Sequence, residues 1–202
     1  MGRVRKTLTR PAVIAVLVVA IGGMGFGLYW FQPWKLWQDE TVDEALPGVV
    51  EASVPAAAAR PSEPSEPASG PAKPSDPAEQ PAVAAPQTLA GGELISHEHA
   101  TSGTVKLVRL ADGSHVLRLE SLDTSNGPDL RVWLTDAHVT KGKAGWRVFD
   151  DGKHVSLGRL KGNKGSQNYL LPKDVDPSSY NSVSIWCDRF DVSFGAAELT
   201  RV

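Results

Sequence analysis

The chain begins with a basic stretch and an uninterrupted apolar run, continues through a proline-rich polar tract, and ends in short segments of alternating character. No residue from 11 to 34 is charged. That many residues of helix reach about 36 Å, enough for a hydrocarbon core roughly 30 Å thick, so the pattern predicts a transmembrane helix over 11–34. Tyr29, Trp30, Phe31, Trp34 and Trp37 gather at its C-terminal end, where amphipathic rings settle at headgroup level. Far downstream, residues 104–110 (TVKLVRL), 116–122 (VLRLESL), 130–135 (LRVWLT), 183–187 (VSIWC) and 192–194 are short β-rich runs. Ala111-Asp112-Gly113 and Ser125-Asn126-Gly127-Pro128 supply turn chemistry between them. No stretch there keeps apolar residues at helical spacing. The expected fold class is all-β, an antiparallel sandwich or barrel-like domain over 88–202.

Between these parts lies a tract, residues 38–87, in which ten of the fifteen prolines fall from Pro47 to Pro86, where there is almost no large apolar side chain. Such a segment cannot bury enough surface to offset its ordering entropy, which predicts a disordered stalk. About 50 residues of this kind reach on the order of 150 Å if stiff, or about 40 Å as a coil. The stalk is therefore expected to carry the domain clear of the membrane.

Charge adds an orientation. Arg3, Arg5, Lys6 and Arg10 precede the apolar run, whereas Asp39, Glu40, Asp43 and Glu44 follow it. The positive-inside rule then puts residues 1–10 in the cytoplasm and everything after the helix outside, as a single-pass signal-anchor protein of the cell membrane. A cleaved signal peptide, with Val18 and Ala20 at the cleavage site, is the rival. It would leave a short apolar region and strand an aromatic stretch at the new N-terminus. The domain itself carries 14 Lys/Arg against 14 Asp/Glu over 88–202, which offers no basic face for nucleic acid.

Candidate chemistry is sparse. Cys187 is the only cysteine, so no intramolecular disulfide forms. Strand parity sets it with Val183 and Ile185 on one face, and Ser184, Trp186 and Asp188 on the other. A buried cysteine is ordinarily an inert small hydrophobe, yet an unpaired thiol outside the cytoplasm calls for protection or use. Asp188 and Arg189 would tune it in opposite directions. His97 and His99 would share a face of an extended segment and are weak candidates for metal ligands. The glycine- and lysine-rich residues 141–169 lack the Gly-Lys-Ser/Thr of a phosphate loop and read as turns linking edge strands. Neither G-x-S-x-G nor H-E-x-x-H occurs, so hydrolysis has no specific support.

Three blocks carry a resemblance: GPDLRVWL at 127–134, LGRLKGNKGSQNYLLP at 157–172, and SIWCDRFDVSFGAAEL at 184–199. In that order they resemble the DM-thirteen domain, an extracellular module often called an electron-transfer domain, over about residues 93–201. The resemblance implies a β-sandwich-like fold and a redox role centred on the W-C-x-x-F block, here Trp186, Cys187 and Phe190, with Asp188 and Arg189 between. Any electron partner would be another protein, since this chain has one span and no DOMON module. The rival reading is a binding or adhesion module displayed on a stalk, with Cys187 structural. No cofactor is named by the sequence, and a bound haem would announce itself by visible absorbance.

Overall fold

The computed structural model describes residues 3–48 and 85–202. Most of the expected stalk thus lies outside the described residues. In chain order the elements are α1 (Arg3–Phe31), β1 (Thr41–Asp43), β2 (Gln87–Glu93), β3 (Ile95–Ser96), β4 (Ser102–Arg109), β5 (His115–Asp123), β6 (Leu130–Thr135), β7 (His154–Arg159), β8 (Lys164–Leu170), β9 (Ser182–Cys187), β10 (Val192–Glu198) and β11 (Thr200–Arg201).

Within α1, Pro11–Phe31 is long and apolar enough to cross a membrane, and its side chains are not buried against protein. The helix stops because Gln32 turns left-handed, at φ 44°, ahead of Pro33, which opens a short 3-10 turn, Pro33–Trp37. The ring disfavours the helical region for the residue before it, which helps to make this a natural end.

The β-domain is two sheets. One runs β1-β8-β5-β4-β2-β11 and the other β3-β10-β9-β6-β7. All pairings are antiparallel except β1 on β8. The sheets face each other, so the fold is a sandwich. Leu107, Leu117 and Leu119 of the first sheet meet Val132, Leu134, Val183 and Ile185 of the second, all completely buried. Burying each such side chain contributes about 1.5–3 kcal/mol, so this layer holds the domain together. The second sheet is also covered on its outer face, where Phe149, with Ala137, Val139 and Val148 of the same connecting segment, packs on Trp133, Trp186 and Ala196. That double cover explains why every residue of β9 is buried.

Among the strands that the sequence pattern did not name, β7 included, two matter most here. Within the lysine- and glycine-rich stretch, β8 is an inner strand, flanked by β5 and β1. Its core-facing residues include Gln167, which is fully buried and bonded throughout: Nε2 donates to the Gly162 carbonyl at 2.8 Å, and Oε1 accepts from the Tyr169 hydroxyl at 2.6 Å. A buried amide so satisfied is stable in a core yet hides the strand from hydropathy patterning. The other is β1, inside the stretch expected to open the stalk.

Candidate functional site

Cys187 closes β9, opposite Leu130 of β6 and Val192 of β10. It is free and completely buried, in the same core as Val183 and Ile185, the face that parity assigned to it. The chain then turns sharply over 188–191: the Phe190 amide donates to the Cys187 carbonyl at 3.2 Å, and Asp191 takes φ 49° to re-enter as β10. Burial pushes the thiol's pKa up. The backbone amides of Arg189, Phe190 and Asp129 pull it the other way, and the Asp129 carboxylate adds to the rise. The thiol is therefore protonated at neutral pH, yet lies among amides able to support a thiolate.

Beside it lies an ionic cluster. Arg131 Nε contacts Asp188 Oδ2 and lies 3.5 Å from Asp129 Oδ1, which Arg159 Nη2 approaches to 3.2 Å. These charges face one another without aligned hydrogen bonds for Asp129 Oδ1, Arg131 Nε or Asp188 Oδ1. Asp188 has its pKa raised, first by burial and then by Asp129 and Asp191, against the opposing pull of Arg131. Asp129 and Arg131 belong to the first sequence block, Arg159 to the second, and Asp188 to the third. All three blocks thus converge at the end of β9.

The remaining members of the expected motif take separate places. Trp186 points to the outer face, with its ring stacked 4.8 Å from Trp133, which in turn lies 4.2 Å from the His154 ring. Phe190 packs on the core edge and stacks with Phe31 at 5.7 Å. Arg189 Nη1 donates to the Trp30 carbonyl at 2.6 Å, with its guanidinium over the Trp30 ring. Its charge serves the end of α1.

The two histidines part company. His97 is buried, with Nε2 donating to the Thr140 carbonyl at 3.1 Å and Nδ1 2.9 Å from the Ser193 hydroxyl, and burial lowers its pKa. His99 is half-buried against Phe194, ring centroids 3.9 Å apart, and is likewise shifted down by burial. Both His97 nitrogens are engaged by the protein. Among the described residues no group of three His, Cys, Asp or Glu is placed to hold a metal ion.

Sequence reasoning named the cysteine turn but missed Asp129, Arg131, Arg159 and Trp133. The signal was present, since all four lie in the first two blocks. Only the strand register reveals that they meet the third.

Fold and geometry together define a class: a two-sheet β-sandwich preceded by one apolar helix, with its distinctive sequence blocks gathered beside a buried free thiol. The family described as Electron transfer DM13 matches residues 93–199, more than half of the chain, and the chain belongs to that family. No curated protein and no solved structure matches it.

Proposed function

We propose that this protein serves an electron-transfer-related role outside the cytoplasm, anchored by α1, and that Cys187 is the group on which that role turns. The observation that carries the reading is the convergence of all three family blocks on the end of β9, beside one buried free thiol. The charge bias around α1 supports a cytoplasmic N-terminus and an uncleaved anchor. The electron partner is another protein. In the simplest exchange the Cys187 thiolate attacks a partner disulfide, one partner sulfur is bound as a mixed disulfide, and the other leaves as thiolate, with no added oxidant.

Complete burial favours the rival, a displayed binding module in which Cys187 only packs. The test compares wild type, Cys187→Ser and Cys187→Ala as full-length protein in membranes, measuring mixed-disulfide capture and, separately, native-state alkylation. Capture and measurable alkylation by wild type alone support the redox reading. Loss of stability in the variants, with no wild-type capture and alkylation only after unfolding, overturns it. Protease added outside spheroplasts should digest the β-domain, and protection of that domain would overturn the orientation.

A further inference from the structure

The family match begins at residue 93, yet the first sheet is completed by a strand from well before it, β1, which follows the apolar helix after nine intervening residues. We propose that residues 39–45 are a docking segment that binds the β8 edge in cis and seats the domain directly on the membrane surface, with the Arg189–Phe190 turn at the headgroups. The proline-rich tract is then not the spacer that its composition suggests. This rests on the anchoring reading above and adds to it a lipid surface as the domain's partner.

The receptor edge fits this segment closely. Thr41, Val42 and Asp43 pair in parallel with Lys164, Gly165 and Ser166. A Cβ on Gly165 would collide with the Val42 carbonyl, and one on Gly162 with the Glu40 carbonyl, so these glycines leave the space that the docked backbone occupies. Gly165 also takes φ 93°, which disfavours any side chain there. Asn163, only 2 % exposed, directs its amide to the segment: Oδ1 accepts from the Glu40 N–H at 2.7 Å, and Nδ2 donates to Asp39 at 2.9 Å and to the Thr124 carbonyl at 2.8 Å. Remove the segment and a buried acceptor loses its donor.

Charge is complementary as well. Lys161 Nζ reaches Glu44 at 2.7 Å, and Lys164 reaches Asp39 at 2.9 Å. Glu44 further accepts from the Asn168 amide at 2.8 Å, and its carbonyl accepts from Arg118 at 2.9 Å. The KGNKG run, read from sequence as turns, is the receptor for the acidic residues that follow the helix.

Chain length turns docking into seating. From Phe31 to Thr41 the backbone spans at most about 35 Å even when fully extended, and Pro33–Trp37 is wound into a 3-10 turn. The domain in fact touches the helix end, through Arg189 on the Trp30 carbonyl and Phe190 on Phe31. Trp34 and Trp37 remain 44 % and 80 % exposed beside this contact, suited to a headgroup layer.

The other end of β1 completes the case. Pro47 lines a cleft with Leu110, Val116 and Leu170, and the chain returns in β2 with Gln87 paired to Arg109. Pro47 and Gln87 therefore lie at the same end of the first sheet, so the height of the domain is set by residues 32–45 and not by the tract between them.

The experiment uses the full-length Cys187→Ala protein in phosphatidylcholine nanodiscs, with a donor dye on Lys173→Cys as the sole labelling site, and an acceptor dye on the lipid headgroups. Replacing residues 49–84 with about a dozen glycines and serines should leave energy transfer unchanged. Replacing 39–45 with glycine and serine should cut transfer by about half or more, as a coil of stalk length then sets the height. A near-ultraviolet dichroism signal establishes that the sandwich of β2–β11 is still folded. Should that variant fail to fold, protease sensitivity decides in the wild type: cleavage at 39–45 in the folded protein overturns the dock, and resistance there supports it. Transfer that rises when 49–84 is shortened, or stays unchanged when a folded variant lacks 39–45, also overturns it. Alkaline extraction run in parallel keeps the outcomes separate, because loss of the protein from the membrane fraction defeats the anchor and not the dock.

Discussion

Two polar regions lie in this small sandwich, and they are managed in opposite ways. Around β8, buried Asn163 and Gln167 have amides bonded to named partners, and Tyr169 donates its hydroxyl to Gln167. At the end of β9, Asp129, Arg131 and Asp188 sit close together with buried atoms that lack aligned partners, next to a thiol with a raised pKa. A fully satisfied network specifies structure, whereas a half-satisfied one persists where function requires it. The contrast predicts that substitutions near β8 cost stability, and that substitutions near Cys187 cost function with smaller effects on folding.

The sharpest break is Gln167→Leu. It strands the Tyr169 hydroxyl proton and the Gly162 carbonyl, which now bond to Oε1 and Nε2, and leaves the Lys161 amide with only the Tyr169 oxygen. Leaving buried groups unpaired costs about 3 kcal/mol in sum, a fall in melting temperature on the order of 10 °C for a domain of this size. Differential scanning calorimetry checks it, and a shift under a third of that would mean the network is not structural.

Cys187→Ala comes next. It removes one sulfur from a close-packed core and should cost about 1 kcal/mol, less than a leucine truncation because the cavity is small. Smaller again is Asp188→Asn. Because burial opposes the carboxylate, its loss relieves a charge that the fold disfavours, while Arg131 keeps Asp129. Chemical denaturation should show a change below about 0.5 kcal/mol. A loss above about 2 kcal/mol would make the cluster a structural ion pair and erase the contrast.

How much of this was legible from the sequence follows from where each signal resides. The apolar helix was legible because a run of 24 uncharged, mostly apolar residues matches the thickness of a bilayer and exceeds what a core strand or an ordinary core helix needs. Strands β4, β5, β6 and β9 showed because they are rich in β-branched and large apolar residues. Three-residue β1 sits among acidic residues and owes its existence to a partner more than a hundred positions away, so no local pattern could disclose it. Hydropathy hid β8 because its inward Gln167 is polar. The cysteine turn was found through the W-C-x-x-F block, but the ionic cluster needs the register of β6, β7 and β9, which turn chemistry does not specify. Long-range pairing is what this chain conceals.

The smallest expected effect is a difference in response to acid. Asp39 and Glu44 are held below their ordinary pKa values of 3.8 and 4.5, Asp39 chiefly by the Asn163 amide and Glu44 chiefly by Lys161. A carboxylate with a depressed folded pKa contributes stability above its ordinary value and loses it as pH falls through the folded one. The dock should therefore loosen below about pH 4. Asp188 has the opposite sign: its pKa lies above 3.8 in the fold, so protonation on acidification relieves the cysteine turn. His97 and His99, kept neutral by burial, weaken the whole domain as pH drops below 6.5, so the readout is the order of events and not the absolute protection. Hydrogen exchange between about pH 6 and 3, corrected for intrinsic rates, should show residues 39–45 losing protection before 187–191. Asp39 is largely exposed and Glu44 partly so, and the shift will be modest and weaker in high salt. If the cysteine turn opens first, its incompletely hydrogen-bonded ion pairs are a weakness that acid aggravates, and the division between a structural edge and a functional end does not hold.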